Sequence, residues 1–147
     1  MKLHLIRHAK TLQAKLNEKD FHRHLAEKGT LQAKALGVYL NNRQILCEVW
    51  CSSATRTRET LDILNEKCNF SDINYFDELY LCSKRTFLEK LWQDKSTKDL
   101  IIVGHNFGIS DLATYFLDHE IEMRTGEYIC IDFENYARSE TSKGIGK

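Results

Sequence analysis

Leu100-Ile101-Ile102-Val103-Gly104-His105 is the stretch on which the fold turns. Its four aliphatic residues have the length of a strand buried in a sheet, and a glycine and a histidine follow at once. The same design opens the chain, where the apolar run Leu3 to Ile6 leads directly into Arg7-His8. Glu48 to Cys51 repeats it and runs into Ser52-Ser53. Ile73 to Phe76 is a short third run, followed by Glu78, and Tyr128 to Phe133 reads as a last strand. Between these runs the apolar spacing becomes helical. Glu27 to Asn41 places Ala35, Val38 and Tyr39 on one side with Leu36 and Leu40 adjoining. Thr55 to Lys67 turns Leu61 and Leu64 toward a core, Thr86 to Gln93 carries Phe87, Leu88, Leu91 and Trp92, and Ile109 to Leu117 is helical throughout.

Strands alternating with helices predict a single α/β domain, a three-layer sandwich whose mainly parallel sheet is flanked by helices and carries an antiparallel edge strand. The expected domain spans residues 1–134. Residues 135–147 are polar and rich in Gly, Ser and Lys, which predicts a frayed tail. The chain has no proline, so a common marker of loop boundaries is missing.

Composition narrows the function classes. The 147 residues suit one domain with a real core. Lys plus Arg and Asp plus Glu both number 21, which removes any whole-chain electrostatic case for nucleic acid or an anionic membrane. The apolar stretch at the N-terminus is too short for a signal peptide or a membrane span, so a cytoplasmic protein is expected. No long apolar stripe asks for a partner subunit, and a monomer is expected. The five cysteines are odd in number and contain no Cys-x-x-Cys pair. They are read as reduced thiols rather than a zinc or disulfide framework.

The chemistry gathers where strands end. In an open α/β sheet, ligands bind outside the carboxyl ends of the parallel strands. Arg7-His8, Ser53 with Arg56, Glu78 and His105 all fall at such ends. Alone, any one of them is read more simply as a solvated loop residue. Together, two arginines and two histidines make a cationic pocket suited to phosphate oxygens. A neutral imidazole there is a competent nucleophile toward phosphorus, and the cations supply charge stabilisation otherwise given to Mg²⁺. No carboxylate cluster accompanies them, so neither metal nor cofactor is expected.

Leu5-Ile6-Arg7-His8-Ala9-Lys10-Thr11 resembles the Arg-His-Gly signature of the histidine phosphatase superfamily, the phosphoglycerate mutase-like fold, and most of all its small phosphohistidine phosphatase (SixA-like) branch. The resemblance runs on through Asp20 to Leu25, Glu27-Lys28-Gly29, Ser52 to Thr60, Asp77 to Tyr80, Val103 to Asn106 and Arg124-Thr125-Gly126. It implies His8 as nucleophile, Arg7, Arg56 and His105 on the phosphoryl group, Glu78 as the acid of members that have one, and Arg23 as a further substrate contact. Where the branch often has proline, this chain has His24, Ala54 and Phe107, which implies softer loops with the chemistry intact.

Plainer readings hold elsewhere. His4 alternates along the first strand and is read as structural, and Trp50 and Trp92 as core. Two histidines around Arg23 without a supporting carboxylate or thiolate are a weak metal signal. Ser52 and Ser53 lack a Gly-x-Ser-x-Gly elbow. His119 lies near a helix end, where it can meet the dipole. Little chain separates Glu78 from Leu100, so the pocket is expected to be open, which suits a phosphorylated side chain on another protein. A small phosphomonoester and an inactive phosphate-binding domain remain as alternatives.

Overall fold

The two strands that lead into His8 and His105 lie side by side in the sheet. In a computed structural model describing residues 1–147, β1 (Lys2–Arg7) pairs in parallel with β4 (Leu100–Gly104). Beyond β4 lie β2 (Glu48–Ser52) and then β3 (Asp72–Phe76), both parallel. On the other side of β1 runs β5 (Tyr128–Asp132), the antiparallel edge strand, so the order is β3-β2-β4-β1-β5.

The alternation of side chains along each strand divides the core in two. Leu3, Leu5, Leu100 and Ile102 face α3 (Lys84–Trp92) and α4 (Gly108–Leu117), where Phe87, Leu91, Leu112 and Phe116 close over them. Ile6, Ile101, Val103 and Val49 face the opposite way. They pack with Leu40 of α1 (Glu27–Asn41) and with Leu61 and Leu64 of α2 (Thr55–Cys68). The expected three-layer α/β sandwich is therefore the observed one, and each expected strand and helix is present within two residues of its limits.

The buried face of α1 differs from the expected one. Ala35, Val38 and Tyr39 are exposed, and the inward residues are Gly29, Ala33, Gly37 and Leu40. Small residues bring the α1 backbone close to its neighbours. A Cβ at Gly37 would meet Leu64 Cα at 3.4 Å, and one at Gly29 would stand 2.0 Å from the Lys10 carbonyl oxygen. Gly29 thus lets the loop after His8 lie on the first turn of α1, where Lys10 O accepts the Ala26 N–H at 2.8 Å. Trp50 is core as expected, but Trp92 is 44% exposed, its indole N–H donating to Thr141 O at 2.8 Å.

Residues 135–147 do not fray. Arg138 is wholly buried, and its Nη1 donates to Glu48 Oε2 at 2.6 Å and Asp94 Oδ2 at 2.5 Å. Gly144 and Gly146 donate to the carbonyls of Tyr115 and Phe116, and Lys147 exchanges backbone hydrogen bonds with Asp132. A polar composition concealed a segment held by one buried cation and a ladder of backbone bonds. Replacing Arg138 with alanine leaves Glu48 and Asp94 without their counter-charge. It should lower the unfolding free energy by about 3 kcal/mol in a urea titration.

Candidate active site

The register of β1 on β4, with Arg7 opposite Gly104, makes the next residue of each strand emerge on the same rim. His8 N donates to Gly104 O at 3.1 Å, and the rings of His8 and His105 lie 5.3 Å apart. The loop after His8 is buttressed by Thr60, whose hydroxyl accepts the Ala9 N–H at 3.0 Å and donates to Arg56 O at 2.7 Å. Arg56, on the first turn of α2, is 3% exposed. A cleft of about 360 Å³ brings together Arg7, His8, Arg23, Arg56 and His105, five of the six expected site residues.

Glu78 is the exception. It lies outside the cleft on a short 3₁₀ turn, its side chain 53% exposed and its Oε1 3.1 Å from Lys90 Nζ. The strand before it ends on the correct rim, but the chain turns the side chain toward α3. His22 and His24 also lie outside the cleft, and His24 pairs with Glu59 at 2.5 Å.

Two residues important to the site went unassigned in the sequence. Asp20 binds two of the site's cations: Arg56 donates to its carbonyl at 2.8 Å and to Oδ2 at 3.0 Å, and Arg23 to Oδ1 at 3.1 Å. Tyr80, the second, donates its hydroxyl to Asp20 Oδ2 at 2.6 Å. The available signal was the spacing of an acid three residues before Arg23, which suits a local ion pair. Arg23 is further fixed by Nε to Leu12 O at 3.0 Å and Nη2 to Thr11 Oγ1 at 2.6 Å. Arg7 is anchored by Nη1 to Met123 O at 2.8 Å.

Protonation follows from this geometry. Burial pushes the His8 imidazole down to about 4, with Arg56, Arg7 and Arg23 adding to the effect against an opposing hydrogen bond to Ala9. His105 falls to about 3, through burial first and then the charge of Arg56. Both rings are neutral near pH 7. His8 Nδ1 lies 2.8 Å from Ala9 O, and a carbonyl only accepts, so Nδ1 carries the proton and Nε2 keeps a lone pair. His105 Nε2 meets Ser52 Oγ at 2.8 Å, leaving the buried Nδ1 without a protein partner. Tyr80 holds Asp20 near 2 through its hydrogen bond, with help from Arg23 and Arg56, so that carboxylate is ionised. Three arginines and Lys10 line the cleft against this single negative charge. Such a site can hold a tetrahedral oxyanion against an unprotonated imidazole nitrogen. In ring-¹⁵N spectra, His8 should appear as the Nδ1–H tautomer at neutral pH and gain its second proton only near pH 4.

The fold is one seen before. The structure assigned to phosphohistidine phosphatase SixA of Agrobacterium tumefaciens is similar, with a TM-score of 0.83, 25% identity, and coverage of 89% of this chain and 90% of that one. The histidine phosphatase SixA complexed with tungstate superposes with a TM-score of 0.81 at 16% identity, over 92% and 90% of the two chains. A structure assigned to the alpha-ribazole-5′-P phosphatase of Escherichia coli K-12 gives 0.72 at 16% identity, over 97% and 96%. None of the curated proteins matches in sequence. The family model described as histidine phosphatase superfamily, branch 1, matches residues 3–80. That span is more than half of the chain and reaches from the first strand past Arg56, and the chain therefore belongs to the histidine phosphatase superfamily.

Proposed function

We propose that the protein is a metal-independent phosphatase that passes a phosphoryl group through His8, and that its substrate is phosphohistidine on another protein. One observation carries the choice of substrate: the single carboxylate of the cleft cannot serve as an acid. Asp20 is held ionised by Tyr80, Arg23 and Arg56. Glu78 lies outside, and its carboxyl is shifted down by a hydrogen bond from its own backbone and by Lys90, opposite to the rise that a general acid needs. An alkoxide leaving group needs such an acid. An imidazole, with a reference pKa of about 6.5, can take its proton from water near neutral pH.

The steps use groups already in place. His8 Nε2 attacks phosphorus as the bond from phosphorus to the substrate imidazole breaks. Arg7, Arg56 and Arg23 hold the equatorial oxygens, with His105 beside them. Water then attacks the phosphohistidine on His8, phosphate leaves, and the lone pair returns to Nε2. The likeness to the Agrobacterium SixA structure supports the same reading.

The test compares a phosphohistidine-bearing protein domain with aryl and alkyl phosphates, chelator present, beside His8→Ala. Hydrolysis should survive the chelator and fall about a thousandfold or more in the variant. The phosphohistidine domain should be preferred over the alkyl ester. Faster turnover of alkyl phosphate would instead make a small phosphomonoester the substrate.

Two further variants probe the acids. Glu78→Gln should leave phosphohistidine turnover unchanged. Asp20→Asn should lower kcat by about tenfold or more, because Arg23 and Arg56 lose their common anchor, while inorganic phosphate still binds. On the pH axis, kcat/KM should hold down to about pH 4 and fall below it as His8 takes a second proton and loses its lone pair.

A further inference from the structure

The cleft is built for oxygen rather than carbon. Leu81 is the only hydrophobic residue that borders it, and the other lining residues are polar or charged. Such a lining fits a phosphoryl group and offers little to the carbon skeleton behind it. The apolar groups stand at the edge, on two loops that meet there. Leu81 is 52% exposed, and Phe107, which follows the cleft residue Asn106, is 77% exposed. No other aromatic side chain of the protein is as open, the next being Tyr136 at 47%. Neither Leu81 nor Phe107 belongs to either hydrophobic core.

Both side chains are held out by a fixed backbone. A Cβ on Gly108 would stand 2.0 Å from the Cys82 carbonyl oxygen, so the residues next after Leu81 and Phe107 are in direct contact. Phe107 O accepts the Asp111 N–H at 2.9 Å, which ties Phe107 to the first turn of α4. On the other loop, the Tyr80 ring meets the His105 and Phe21 rings edge-on at 5.5 and 4.9 Å. Leu81 itself has a φ of +48°, in the left-handed region that a leucine rarely adopts. Glycine or asparagine would take that conformation with less strain, and a polar side chain would suit the exposure. Strained residues of this kind gather at functional sites.

On the reading that the substrate is phosphohistidine on another protein, we propose that Leu81 and Phe107 form an apolar lip that recognises the bearer. They pack against apolar side chains that flank the phosphohistidine on the same face of the substrate polypeptide. The occupant follows from where the lip lies. A phosphorylated side chain that reaches His8 brings its own polypeptide surface to the edge of the cleft. A small ester held inside would meet Leu81 alone, because Phe107 does not line the cleft. The lip carries no charge, so the neighbours it favours are apolar.

Two alanine-rich peptides phosphorylated at a central histidine serve as probes, one with leucine and the other with serine three and four residues to either side. These positions share the histidine's face in a helix. N-phosphoimidazole supplies the same leaving group without a polypeptide. The wild type should hydrolyse the leucine peptide with a KM about tenfold below that of the serine peptide, at similar kcat. Phe107→Ser, a change at an exposed side chain, should abolish that preference and leave phosphoimidazole turnover unchanged. Leu81→Gly, which relieves the backbone, should narrow the preference as well. Equal KM values for the two peptides in the wild type, or a preference that survives both substitutions, would overturn the lip while leaving phosphohistidine as the substrate. Hydrolysis of phosphoimidazole with neither peptide turned over would overturn the polypeptide reading, and the lip with it.

Discussion

Everything at the catalytic rim depends on the pairing of β1 with β4. Parallel strands in register present their next residues together, and here those residues are His8 and His105. A slip of one residue would send His8 to the other face and Arg7 into its place, because side chains alternate along a strand. The slip is opposed from both sides of the sheet. Leu3 and Leu5 belong to one core and Ile6 to the other, so a shift would expose both sets at once. The hydrophobic layers thus fix the position of His8 on the rim.

Around His8 the electrostatics work in one direction. The arginines that would attract a phosphoryl group also keep His8 and His105 unprotonated. Asp20 offsets part of this charge and orients Arg23 and Arg56, and it stays ionised because Tyr80 and both guanidiniums contact it. The site is organised before a ligand arrives, which is the condition under which charged groups act at low reorganisation cost.

Much of this was legible in the chain. Alternating apolar runs and helical spacing mark the sandwich, and the polar residues after Ile6, Cys51 and Val103 mark the rim, because both signals are local. What escaped depends on distant partners. The inward face of α1 is built from Gly29, Ala33 and Gly37, small residues that carry almost no hydrophobic signal and matter through close approach. Arg138 looked like one charge in a polar tail, and only the fold brings Glu48 and Asp94 to it. Glu78 sits just after a strand that does reach the rim, and its side chain turns away from the cleft to pair with Lys90 of α3. Asp20 lies on a short 3₁₀ turn with no periodic pattern to mark it, and its importance comes from three partners, two of them far away in sequence.

The standing charge of the cleft has a consequence for selectivity. An arriving phosphoryl group and departing inorganic phosphate would present nearly the same oxygens to Arg7, Arg23 and Arg56, so the cleft by itself would hold reactant and product alike. Discrimination would then fall on whatever part of the substrate stays outside, beside the exposed Lys10 and Leu81 that border the cleft. A phosphatase built in this way would choose its substrate by the bearer of the phosphoryl group.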